Sequence, residues 1–119
     1  MNKVNLREKL DQVTELWSPK IVGQVADVQI KVVRIEGEFP WHLHEDEDEL
    51  FLIVRGSIVL EFRDRRVPLE EGEFLIVPKG VEHRPVAERE AHIVLIEPAG
   101  TLNTGNVRTD RTVDHPEWL

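Results

Sequence analysis

Cysteine and tyrosine are both absent from this 119-residue chain, and each absence removes a class of chemistry. Without cysteine there is no disulfide, no thiolate metal site and no cysteine nucleophile. Without tyrosine there is no phenol to act as a general acid. Long apolar runs are missing too. The opening "MNKVNLREKLDQVTEL" holds no apolar core of signal-peptide length, and no stretch approaches a membrane span, so the chain reads as cytoplasmic. Positive charge is in the minority, with 15 Lys plus Arg against 23 Asp plus Glu and a net charge of −8. Such a field repels nucleic acid and anionic membrane, and neither is an expected partner.

What is present describes one globular domain over residues 1–119, with apolar residues at 40% and charged residues at 32% interleaved along the chain. Leu6, Leu10, Val13 and Trp17 recur at helical spacing, Asn5 and Glu8 suit an N-cap and its reciprocal partner, and Pro19 stops the pattern. Residues 1–18 therefore read as a helix and lead-in packed outside the main body.

From residue 20 to 98 the texture is short β-type runs: "IVGQV", "VQIKVVRIEG", "WHLH", "LFLIV", "SIVLEF", "FLIVP" and "AHIVLIEP". Turn signals separate them, at Ala26-Asp27, Arg55-Gly56, Asp64-Arg65, Glu71-Gly72, Pro78-Lys79-Gly80 and Arg84-Pro85. No helix-length pattern lies between any two runs, which excludes a parallel βαβ sheet and predicts an all-β antiparallel sandwich or small barrel. Residues 99–119 form a polar, weakly patterned tail, whose terminal Trp118 and Leu119 suggest a docked end.

The chemistry concentrates in "WHLHEDEDELF", residues 41–51, where two histidines precede five consecutive acids. In a strand, His42 and His44 share a face about 6–7 Å apart, close enough for both rings to lean onto one metal. By itself a His-x-His pair fits a solvated face equally well. Glu45 to Asp48 read as a turn of solvated acids flanked by His44 and Glu49. A hairpin there makes His44 and Glu49 directly opposed; a crossing between sheets still lets both point inward. Glu49 opens the apolar run "ELFLIVRG", so it is the acid drawn toward the interior, where a carboxylate must be neutralised, paired or bound to a metal. Farther on, "GEFLIVPKGVEH" ends a strand in a Pro78-Lys79-Gly80 turn followed by His83, and Gly72 and Gly80 suit backbone positions of positive φ.

These two stretches resemble the motifs of the cupin family, small β-barrels of the jelly-roll type. The first family motif is a glycine, His-x-His, a glutamate after three or four residues, and a glycine after six more. Here it reads Gly37, His42, His44, Glu49 and Gly56. The second is a glycine, Pro-x-Gly and a histidine, here Gly72, Pro78, Gly80 and His83. Two positions depart from the family pattern. Gly37 stands one residue closer to the first histidine than usual, and Ala87 replaces an asparagine. Neither is a ligand position.

The resemblance implies an antiparallel jelly-roll β-barrel with a short N-terminal helix. It also implies one divalent transition metal per chain (iron, manganese, nickel, zinc or copper) held by His42, His44, Glu49 and His83. Imidazole and carboxylate donors suit all five. The implied function is a metal-dependent enzyme acting on a small organic molecule by oxygenase or isomerase chemistry, and the missing cysteine and tyrosine speak against the thiol-dioxygenase branch. The alternative is a metal-loaded module that binds a small molecule without turnover. A homodimer is the assembly the resemblance implies. Of the remaining residues, Arg34 and Arg84 are candidates to grip an anion, Glu82 to move protons, and His92 to support the site. For each, an exposed surface role is the competing reading, as it is for His115.

Overall fold

In the computed structural model, which describes residues 1–119, the chain opens with a single short helix, α1 (Leu6–Asp11). Asn5 caps it, its side chain accepting from Glu8 N at 3.0 Å. The helix stops well before Pro19. The carbonyl of Val13 accepts from Arg34 Nη1 at 2.7 Å, and Trp17 turns to φ 61° as its N–H joins Arg34 O at 2.8 Å. Left-handed backbone at a bulky residue is strained and persists only where packing compensates. Here the compensation is burial: the Trp17 ring leaves the helical stripe and enters the main core, stacked on Phe39 with centroids 4.8 Å apart.

Seven strands follow: β1 (Lys20–Val25), β2 (Val28–Glu38), β3 (Glu49–Arg55), β4 (Ile58–Phe62), β5 (Arg66–Leu69), β6 (Phe74–Val77) and β7 (His83–Pro98). Every pairing is antiparallel. The ladder runs β1-β2-β7-β3-β6, with β4 and β5 branching from the first half of β7. The antiparallel all-β expectation holds, but the predicted barrel is not closed. "WHLH", expected as a strand, makes one isolated bridge, His42 to His83, and the outer strands β1 and β6 do not pair with each other. Pro40 lacks an N–H for a ladder, and Leu43 spends both its backbone groups on Asn106.

Two other segments differ from the sequence reading. Arg84-Pro85, expected as a turn, lies inside the long β7, where Pro85 stands opposite Leu60. "RVPL" forms β5 despite its proline, which is tolerated because β5 pairs on one side only.

The strands alternate as period 2 demands. Glu49, Phe51 and Ile53 of β3, and Ile58, Leu60 and Phe62 of β4, face inward. In β2 the consecutive residues Lys31, Val32 and Val33 are all buried because both faces are covered. Val32 and Val94 lie with Leu10, Val13 and Val22 beneath α1. Val33 and Ile93 face the main core with Trp17, Phe39 and Leu60. Each fully buried Leu or Ile contributes about 1.5–3 kcal/mol. The tail is tied down: Leu119 N donates to Ile21 O at 2.8 Å, and Leu119 packs against the cluster beneath α1 while the Trp118 side chain stays exposed. No helix is long and apolar enough to cross a membrane.

Candidate metal centre

After β2 ends, Phe39 N reaches Pro85 O at 3.2 Å, which aligns residues 39–44 alongside the start of β7. His42 and His83 then exchange two backbone hydrogen bonds, of 3.1 and 2.9 Å, and Gly80 N donates to His44 O at 2.7 Å. The histidine segment therefore pairs with residues 80–83. Of the two sequence-level geometries, the crossing is the one adopted: Glu45–Asp48 carries the chain away to β3, where Glu49 stands opposite Val77. Asp48 is not merely solvated. Its Oδ1 accepts from Lys79 N at 2.9 Å and clamps the Pro78-Lys79-Gly80 turn that precedes His83. The first motif's Gly56 has φ 83°, and a Cβ there would press on Glu90 O at 3.3 Å.

The result brings His42, His44, Glu49 and His83 together, all buried, with one ligand atom from each lying within 4.8 Å of the others. Donors bound to one ion at about 2.0–2.2 Å lie at most about 4.4 Å apart, so the four atoms are gathered to nearly the span that one ion requires.

The hydrogen bonds select the tautomers. Nδ1 of His42 lies 2.8 Å from Pro40 O and Nδ1 of His83 lies 2.9 Å from Val81 O. A carbonyl only accepts, so each Nδ1 carries the proton and the Nε2 of each neutral ring keeps its lone pair. Burial, then the neighbouring His83, lowers the His42 pKa from 6.5 to about 4, which keeps that ring neutral at pH 7. His44 is buried with neither ring nitrogen in a hydrogen bond; its Nε2 lies 3.2 Å from Glu49 Oε1 without hydrogen-bond alignment. His83 Nε2 faces the same oxygen at 3.3 Å. A lone pair facing a carboxylate oxygen at that distance calls for a proton or a cation. Three imidazoles and one carboxylate, dry and aimed at one point, are a donor set that fits a divalent transition metal.

Behind Glu49 lies a polar feature that the sequence reading missed. Glu97 and Lys31, each 2% exposed, form an ion pair of 3.0 Å. The register that pairs Leu50 with Ile96 sets Glu97 across from Glu49 on the same buried face. Burial favours a neutral Glu49, but the imidazoles of His44 and His83, at 3.2 and 3.3 Å, outweigh it and hold the carboxyl well below the usual range. Burial and the adjacent Glu49 push Glu97 well above that range, against the pull of Lys31. Lys31 stands in a strand with three further charged residues, Arg34, Glu36 and Glu38, so nothing local marked it.

Beside the cluster is a cavity of about 30 Å³, reached by His42 and Glu49 and walled by apolar side chains that include Trp17, Phe39 and Phe51. That volume accommodates one or two waters. The tail contributes Asn103, whose side-chain amide is engaged with Arg111 O and Val113 N. Trp17 and Asn103 were not legible as cavity residues, since one reads as a helix stripe and the other as unpatterned tail.

The other candidate side chains stand elsewhere. Arg34 is committed to Glu90 and Val13 O, Arg84 to Glu61 and Glu38, and Glu82 to Arg63 at the surface. His92 pairs with Glu90 at 2.8 Å, and His115 is exposed in the tail. None reaches the cluster.

Known proteins share this architecture. A cupin-2 domain protein from Shewanella frigidimarina superposes with a TM-score of 0.79 at 42% identity, over 80% of this chain and 93% of that one. YdbB of Bacillus subtilis is 30% identical over 104 residues, 78% of this chain and 92% of its own length. An acireductone dioxygenase from Puccinia graminis is 30% identical over 89 residues, 70% of this chain but only 45% of that enzyme. Residues 31–97, which hold both histidine motifs, match the cupin domain family, and the chain belongs to that family.

Proposed function

We propose that His42, His44, Glu49 and His83 hold one divalent transition metal and that the chain is a metal-dependent oxygenase acting on a small organic molecule. The observation that carries this reading is the buried His/His/Glu/His cluster. The likeness to a dioxygenase supports the oxygenase arm over the isomerase arm.

The cavity lining points the same way. Isomerases move protons between carbons and need an acid and a base beside the substrate. Here His42 and Glu49 are the sole titratable side chains lining the cavity, and both belong to the cluster. When bound, the metal supplies Lewis acidity or redox chemistry at open coordination positions. The protein's own contribution is positional. Pro40 O and Val81 O hold the rings of His42 and His83 with Nε2 turned inward, while Trp17, Phe39 and Phe51 exclude water and present a flat apolar wall.

The test is metal analysis of untagged protein by mass spectrometry, followed by dioxygen uptake with iron- or manganese-loaded protein against a panel of catechols, enediols and diketones. Near one metal per chain with substrate-dependent uptake is the expected result. Saturable ligand binding without uptake would replace the enzyme reading with a binding module, and failure to load any of the five metals would remove the site.

A further inference from the structure

Lys31 and Glu97 take no part in lining the cavity, yet they place two ionisable groups in the protein interior behind the cluster. The register explains their position. Lys31 shares its face of β2 with Val33 and Ile35, and Glu97 shares its face of β7 with Ile93 and Leu95. Because Leu50 pairs with Ile96, Glu49 and Glu97 meet at the end of the same inner face. Lys31 Nζ donates to Glu97 Oε1 at 3.0 Å and has a second acceptor, Thr101 O, at 3.4 Å. Glu97 Oε2 is buried with no hydrogen-bond partner, on the inner face it shares with Glu49.

A buried ion pair is poor value as a stabiliser, because desolvation commonly offsets its attraction and apolar residues of similar size do as well or better. What distinguishes this pair is what it touches. Glu49 has a two-oxygen side chain that must present one oxygen to the three histidines, and its partners on that side are His44 and His83. Across the ladder its neighbour on the same buried face is Glu97.

We propose that Lys31 and Glu97 are positioning residues for the metal: Lys31 anchors Glu97, and Glu97 fixes the Glu49 carboxylate in the orientation in which it joins the histidines. This rests on the reading that the four-residue cluster binds metal. Hydrogen bonds tie Thr101 in the tail to Lys31 and Lys31 to Glu97, and the register sets Glu97 beside Glu49 of the cluster, which braces the site from the strand β2.

The test uses the full chain and cobalt(II), titrated against a competing chelator, with visible absorption reporting ligand geometry. The central variant is Lys31→Met/Glu97→Leu, which replaces both ionisable groups by apolar ones of similar size. It is expected to melt at or above the wild-type temperature, yet to bind cobalt about 10–100-fold more weakly with an altered spectrum, the usual loss when a ligand's supporting partner is removed. Glu97→Gln keeps an acceptor for Lys31 and a donor toward Glu49, and is expected to stay within about threefold of wild type. A folded double variant with wild-type affinity and spectrum overturns the proposal, as does a loss in Glu97→Gln equal to that in the double variant. Should the double variant fail to fold, Lys31→Met carries the test, with a loss of about tenfold or more expected and wild-type affinity overturning it. Wild-type protein that binds no cobalt removes the metal reading itself, a result distinct from any difference between variants.

Discussion

Nε2 of His83 and Oε1 of Glu49 face each other at 3.3 Å inside the sheet, although 34 residues separate them in the chain. His83 opens β7 and Glu49 opens β3, and those strands are neighbours in the ladder. With Nδ1 of His83 engaged by Val81 O, the contact sets an imidazole lone pair against a carboxylate oxygen. A cation between them would turn that opposition into two bonds.

Replacing His83 by alanine removes one of the four donors and the ring that opposes Glu49. Metal content is expected to fall from about one ion per chain to a small fraction of that. Plasma mass spectrometry after dialysis checks it, with His92→Ala as the control, because His92 pairs with Glu90 away from the cluster.

The metal-free protein should lose stability as pH falls. His42 has its pKa lowered from 6.5 to about 4, so the unfolded chain takes up a proton in that window which the folded chain refuses. The contribution is whole above pH 6.5 and is lost progressively toward pH 4, with a ceiling of about 3 kcal/mol. Urea midpoints in the presence of a chelator at pH 7 and pH 4.5 measure it. His42→Gln, which does not titrate, should show a shallower fall; a slope equal to wild type would refute the assignment to His42.

Gly105 adopts φ 56°, and a Cβ there would overlap the Leu43 carbonyl and crowd the His42 ring. Gly105→Ala is therefore expected to cost about 1–3 kcal/mol and to weaken metal binding, since the 103–106 segment brackets the backbone between the two histidines. Thermal melting and cobalt titration together check this, and unchanged metal affinity would show that the bracket has no influence on the ligands.

Asp48→Ala should destabilise the protein by about 0.5–2 kcal/mol through loss of its hydrogen bond to Lys79 N. Asp48→Asn keeps an acceptor and should recover most of that loss. Neighbouring Asp46→Ala, at an exposed position without such a bond, should be close to neutral. Denaturant midpoints of the three variants decide it.

The sequence carried most of the fold and named all four residues of the buried cluster, for identifiable reasons. Period-2 alternation in "LFLIV" and "SIVLEF" follows from strands with one buried face, and it needs no tertiary information to be seen. The two histidine motifs carry their spacing in the chain itself, and the converged quartet His42, His44, Glu49 and His83 is the quartet they name.

The tertiary structure decided the rest. "WHLH" has strand-like composition, yet its backbone groups go to His83, Gly80 and Asn106, so the sheet stays open and residues 45–48 cross rather than close a hairpin. Trp17 fits a helical stripe by spacing, but burying its ring against Phe39 outweighs helix propensity at its position. Lys31 and Glu97 lie 66 residues apart and announce nothing locally; they meet because β2 and β7 are neighbours in one register. Periodicity and motif spacing are local properties that a chain displays before it folds. The partner of a backbone carbonyl, or the charge facing a buried carboxylate, is chosen only when distant strands are laid side by side.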